Sequence, residues 1–242
     1  MKLGDFEALT FDCYGTLIDW ETGILANLAP LVGKAGGGRS NDAILETFAR
    51  HEAAQEAETP DMIYARLLAM VHGRIAEEWG VAASPEDDAR FGASVPDWPA
   101  FPDTADALRY LKQHFRLGIL SNVDRTSFAG SNRRLGVEFD WIMTAEDIGS
   151  YKPAPRNFAY MIETLGRDGV DRAGILHTAE SLFHDHVPAN GFGLASCWIF
   201  RRHDKDGFGA TSKPAKMPRI DFRFTSLGEM AAAHRREMAG GG

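Results

Sequence analysis

Apolar residues follow two periods along this chain. Residues 6–11 (FEALTF) are apolar, β-branched or aromatic and bounded by polar residues, which predicts a short buried strand. The next eighty residues change period. Ile24, Leu25, Leu28 and Leu31 predict a helix over 20–31, ended or kinked near Pro30. A Gly-rich loop covers 34–40. Ile44, Leu45 and Phe48 predict a helix over 42–58, and Ile63, Leu67, Leu68, Val71 and Ile75 one over 62–79, with Thr59-Pro60-Asp61 as its start signal. From residue 99 the pattern alternates. Helices are expected at 104–115, 125–135 and 155–165, with a partly helical return at 182–192. Strands are expected at 117–120, 139–143, 174–178 and 194–200. A polar stretch, 201–218, reads as a long exposed loop, 227–238 as a last helix, and the closing Ala-Gly-Gly-Gly as disordered.

Strands separated by helices imply an α/β fold with a doubly wound parallel sheet. The helical run interrupts that alternation after the first strand. The expected division is a Rossmann-like core of residues 1–17 and 99–242, with a helical cap of residues 18–98.

Composition narrows the function. With 242 residues the chain can bury a full core. A net charge of −8 argues against nucleic acid or an anionic membrane as a bulk partner, though not against a small anionic ligand. Two cysteines, Cys13 and Cys197, make no disulfide scaffold. No basic region precedes an apolar run at the N-terminus, so no signal peptide is expected and the location expected is cytoplasmic. No apolar stretch approaches membrane-spanning length.

Strand tips of a parallel sheet converge where such sheets place ligands. The tips carry Asp12, then Ser121 and Asn122, then Lys152 on a loop, then Glu180, Ser181 and Asp185. Each alone reads equally well as a cap, a turn or a solvated loop residue. Together they offer a nucleophile, short donors, a cation and further carboxylates.

Asp12-Cys13-Tyr14-Gly15-Thr16-Leu17, Leu120-Ser121-Asn122, Tyr151-Lys152-Pro153 and the segment Glu180 to Asp185 resemble, in this order, the four motifs of the haloacid dehalogenase superfamily. The helical interruption resembles its cap. Phosphatase members usually carry a second Asp two residues after the nucleophile, where this chain has Tyr14. They also carry Gly-Asp-Ser where this chain has Ala179-Glu180-Ser181. The Asp-x-Tyr-Gly-Thr pattern is similar to the type II 2-haloacid dehalogenases, which use no cofactor.

The resemblance implies Asp12 as nucleophile, Lys152 as the neighbouring cation and Asp185 as activator of water, with Glu180, His184 and His186 as competitors for that last role. Tyr14, Thr16, Ser121, Asn122, Glu180 and Ser181 would bind the substrate, and Arg50 on the cap would cradle the leaving halide, with Arg39 in reserve. No metal ligand is expected; Mg²⁺ enters only in the alternative, a phosphatase acting on a small phosphate ester. A homodimer is the expected assembly.

Overall fold

The computed structural model describes every residue except Asp206, Phe208, Gly241 and Gly242. Its centre is the strand β1 (Ala8–Phe11), buried along its whole length. Four helices follow: α1 (Trp20–Lys34), α2 (Asn41–Glu58), α3 (Tyr64–Glu78) and α4 (Pro85–Gly92). The alternating part comprises α5 (Thr104–Leu111), β2 (Arg116–Ser121), α6 (Arg125–Leu135), β3 (Trp141–Thr144), α7 (Ala145–Ile148), α8 (Pro155–Arg167), β4 (Ile175–Ala179), α9 (Val187–Gly191), β5 (Ala195–Ile199), β6 (Phe222–Phe224) and α10 (Leu227–Gly240). The six strands form one parallel sheet in the order β3-β2-β1-β4-β5-β6.

The sheet has helices on both sides because its strands alternate apolar side chains to both faces. Leu9, Phe11, Leu117 and Ile119 pack with Leu108, Leu111 and Met230 from α5 and α10. Ala8, Leu120 and Ile175 pack on the other side with Phe158, Met161 and Leu165 of α8. Leu67, Leu68, Val71 and Ile75 of α3 belong to the first of these cores, so the four inserted helices share it rather than standing apart. Each such side chain taken fully from water contributes roughly 1.5–3 kcal/mol.

Local signals explain the helix starts. Asp19, Ser40 and Asp124 accept backbone N–H groups at the starts of α1, α2 and α6. Ser84 and Asp87 form a reciprocal cap around Pro85 at the start of α4.

The structure corrects four sequence readings. Helix α1 continues through Pro30 to Lys34, because Pro30 sits on the exposed face, where water can serve the carbonyl it leaves without a donor. The stretch 201–218 is not exposed throughout, although its Asp206 and Phe208 lie outside the described residues. Arg201 stacks over Phe101 at 4.1 Å and donates to Asp103 at 2.7 Å. Arg202 is 5% exposed and bonds Glu21 of α1 and Asp42 of α2 at 2.7 and 3.0 Å. This stretch therefore straps the inserted helices to the sheet. The edge strand β6 was not expected; three residues are too few to show a period. Of the closing tail, Ala239 and Gly240 extend α10, while Gly241 and Gly242 lie outside the described residues. Among the described residues no helix is long and apolar enough to cross a membrane.

Candidate active site

Register places the tips of β1, β2 and β4 side by side. Phe11 pairs with both Ile119 and Thr178, so Asp12 leaves β1 between the two neighbouring tips. Its backbone N–H donates to Thr178 O at 3.1 Å. The turn beyond needs Gly15, whose φ is +91° and whose missing Cβ would lie 2.9 Å from the Trp20 ring nitrogen.

Three buried side chains form the centre. The Lys152 ammonium donates to Asp12 Oδ1 at 2.9 Å, Asp185 Oδ1 at 2.7 Å and Leu120 O at 3.0 Å, which uses all three of its donors. Thr16 donates to Asp12 Oδ2 at 2.7 Å and accepts from the Glu180 backbone N–H at 2.9 Å. His177 lies beneath, with Nε2 3.0 Å from Asp185 Oδ1 and Nδ1 2.9 Å from Thr10 Oγ1. Among the described residues the second Asp185 oxygen, Oδ2, is buried without a hydrogen-bond partner, and so is the Ser121 hydroxyl.

Charge follows this geometry. Burial would push the Lys152 ammonium down, but Asp12 and Asp185 beside it override that and hold it protonated. Burial would likewise raise Asp185; Lys152 and His177 instead hold it well below the usual carboxylate range. Asp12 is raised, because burial and the Asp185 charge outweigh Lys152. Burial also pushes the Cys13 thiol well up, which removes it as a nucleophile near neutral pH. His184 is pushed down to about 4 by burial and is neutral near pH 7.

A cleft of about 440 Å³, its open mouth included, lies over this centre. Of the residues singled out in the sequence, Asp12, Tyr14, Ser121, Asn122, Lys152, Ser181 and Asp185 line it. The Tyr14 hydroxyl pairs with Ser131 at 2.8 Å. Asn122 accepts from the Lys152 N–H at 2.6 Å and donates to Lys152 O at 3.0 Å, which fixes the loop carrying the lysine.

Three expected substrate-binding residues sit elsewhere. Thr16 is fully buried behind Asp12 and orients it rather than facing the cleft. The Glu180 side chain lines a neighbouring crevice with Arg201 and Arg202, and burial raises it to about 8. Arg50 is 58% exposed at its side chain and bonds both oxygens of Glu78 at 2.8 Å, on the outer face of α2. The reserve, Arg39, stacks over Trp79 at 4.6 Å and does not line the cleft either.

Sequence reasoning missed Trp20, Glu52, Glu56, Tyr64 and Thr211, all of which line the cleft. Glu52 and Glu56 are four apart on α2 and thus share a face. The i, i+4 continuation of Ile44 and Phe48 arrives at both, a signal present in the sequence.

Known proteins bear on this arrangement. A family of haloacid dehalogenase-like hydrolases matches residues 6–173. The chain belongs to that family. This hydrolase is 29% identical over 127 residues to a (S)-2-haloacid dehalogenase of Pseudomonas putida, covering 51% of this chain and 54% of that one. It is 26% identical over 141 residues to a pyrimidine 5'-nucleotidase of Escherichia coli (strain K12), covering 56% and 62%. The chain thus spans about half the length of the curated relatives it matches. Its fold is that of the L-2-haloacid dehalogenase of Xanthobacter autotrophicus solved with chloropropionic acid covalently bound: TM-score 0.77, 18% identity, 95% of this chain and 98% of that one.

Magnesium, which a phosphatase would need, is tested by the donors. Among the described residues no three His, Cys, Asp or Glu side chains are grouped to hold a metal ion. Asp185 Oδ1 is taken by Lys152 and His177, and the Glu180 side chain faces the neighbouring crevice. The donor set as it stands does not fit the ion.

Proposed function

We propose that this hydrolase converts small 2-haloalkanoic acids to 2-hydroxy acids through an ester on Asp12. The observation that carries the reading is the Lys152 ammonium bound to Asp12 and Asp185 together, with Tyr14 where a phosphatase's second acid would stand. An Asp12 oxygen attacks the carbon bearing the halogen from behind. The new C–O bond forms as the C–halogen bond breaks, and the halide leaves with the electron pair. Halide is a weak base and needs no proton, so a tyrosine whose hydroxyl is engaged with Ser131 is no handicap at position 14. Water then attacks the ester carbonyl of Asp12. Asp185 Oδ2, buried and without a partner, takes its proton. Collapse of the tetrahedral intermediate expels the alkoxide, which takes the proton back from Asp185 and leaves as the 2-hydroxy acid. Asp12, left as its carboxylic acid, loses the second proton of the water to solvent and is restored. Lys152 neutralises the charge that moves between the two carboxylates. The Ser121 hydroxyl, which has no partner among the described residues, is the side-chain donor offered to the substrate carboxylate.

The alternative, a Mg²⁺-dependent phosphatase, is favoured by the similarity to the nucleotidase. One experiment separates the two. Halide is measured from 2-chloropropionate in EDTA and in ¹⁸O water, and a generic phosphate ester is tried with and without Mg²⁺. Halide release with label in Asp12 is expected. Phosphate release only with Mg²⁺, and no halide from an enzyme whose Asp12 is intact, would sink the dehalogenase reading.

A further inference from the structure

The cap side of the cleft carries acidic side chains, which a simple haloacid does not call for. Helix α2 brings Glu52 and Glu56 to the lining. Glu52 is 6% exposed, and its Oε1 accepts from the Tyr64 hydroxyl at 2.5 Å. Glu56 accepts from Asn122 Nδ2 at 3.1 Å. Among the described residues neither has a lysine or arginine within ion-pair distance. Among the described residues the cleft's lining cation is Lys152, already bound to Asp12, Asp185 and Leu120 O, and no arginine lines it. Four carboxyl groups therefore face one ammonium.

A buried carboxylate without a cation either binds a proton or awaits a charged partner. Burial raises Glu52 to about 7, and burial together with Glu52 raises Glu56 well above its usual range. Independently, the Ser121 hydroxyl is 2% exposed, has no hydrogen-bond partner and lines the same cleft. It is a polar group placed for a ligand.

We propose that the cap wall recognises a cationic amino group, so that the small acid processed at Asp12 carries an ammonium held by Glu52 and Glu56. The processing at Asp12 rests on the dehalogenase reading above; the recognition of the cation does not. An ammonium has three N–H donors and no acceptor, which suits a pair of carboxylates lining one cleft. Its arrival displaces the protons that burial holds on the two glutamates. The rival arrangement keeps both acids protonated and lets them donate to a carboxylate of an uncharged-tail substrate, which would hold protons on the enzyme rather than release them.

Calorimetry on the full chain near pH 7 decides, with the unreactive pair 4-aminobutanoate and butanoate in two buffers of different ionisation enthalpy. The expected result is binding of 4-aminobutanoate at least about tenfold tighter than butanoate, the range of one charge-assisted hydrogen bond, with release of protons. Glu52→Gln and Glu56→Gln, each checked for fold by circular dichroism, should each reduce that preference. Equal or tighter binding of butanoate, no binding of either acid, or a preference that survives in both folded variants overturns the proposal. Halide release from 2-chlorobutanoate and 4-amino-2-chlorobutanoate separates it from the reading it rests on. Selective binding of the amine with halide from neither substrate leaves cation recognition standing and removes dehalogenation. Halide from both at equal kcat/KM, without selective binding, does the reverse.

Discussion

Lys152→Met tests how the centre is held together. Methionine keeps much of the lysine's length and volume, so the change removes charge and donors with little cavity. Lys152 is 2% exposed and donates at 2.7, 2.9 and 3.0 Å to Asp185, Asp12 and Leu120 O. Without it two buried carboxylates face one another. Breaking a buried ion pair by removing one partner costs about 3–5 kcal/mol. For a domain of this size that corresponds to a fall in melting temperature of roughly 6–20 °C. The pH dependence carries the specific content. In the variant one carboxylate is raised above its unfolded value, so the folded state binds more protons than the unfolded one between those two pKa values. Stability then falls as pH rises through that window, and each unit of raised pKa still above the working pH returns about 1.4 kcal/mol. The loss should be larger at pH 8 than at pH 5. Adding Asp185→Asn to Lys152→Met removes one of the stranded charges and should cost less than the sum of the single changes. Urea unfolding at both pH values measures all of this. A loss at pH 8 below about 1 kcal/mol, the size of a surface pair, or a loss that is the same at pH 5, would refute the bridging role.

Three further outcomes follow from particular contacts. A Cβ on Gly92 of α4 would lie 2.1 Å from the Ala65 carbonyl oxygen of α3, so Gly92→Ala should destabilise by about 1–3 kcal/mol in urea unfolding; a neutral result would mean that α3 and α4 do not meet this closely. Arg50→Ala removes an exposed pair with Glu78 and should change stability by no more than about 1 kcal/mol and leave halide release as it was; a large fall in halide release alone would put Arg50 in the site after all. Glu180 has its folded pKa raised to about 8 from 4.5, so its contribution declines as pH rises between those values. Because the side chain is only half-buried, Glu180→Gln should gain about 2–3 kcal/mol at pH 9 and little at pH 5, and equal effects at the two pH values would count against the shift.

The sheet was legible because parallel strands buried on both faces and amphipathic helices leave different periods in the sequence. The site's floor was legible because strand tips meet by topology, so Asp12, Ser121, Asn122, Lys152 and Asp185 need only be at the ends of their strands or loops. Glu180 shows the limit of that argument. Its backbone N–H reaches Thr16 behind the nucleophile, yet its side chain turns to the next crevice, a rotamer choice that no strand pattern encodes. The stretch carrying Arg202 was illegible for another reason. It is buried through ion pairs to Glu21 and Asp42, and a Gly-, Pro- and Lys-rich composition reads as solvated whether or not it finds such partners.

The cap is the instructive failure. Resemblance placed Arg50 in the cleft, and helix phase forbids it. Successive residues of an α-helix turn by about 100°, so positions two apart point about 200° apart. Ile44, Leu45 and Phe48 are buried, and the same face continues to Glu52 and on to Glu56. Arg50 is two residues from Phe48 and two from Glu52, and must face away from both. The reading that fails on Arg50 therefore supplies its own replacement. Whatever the substrate presents to the cap meets two carboxyl groups there, and the chemistry at Asp12 must be paired with a molecule that tolerates or seeks them.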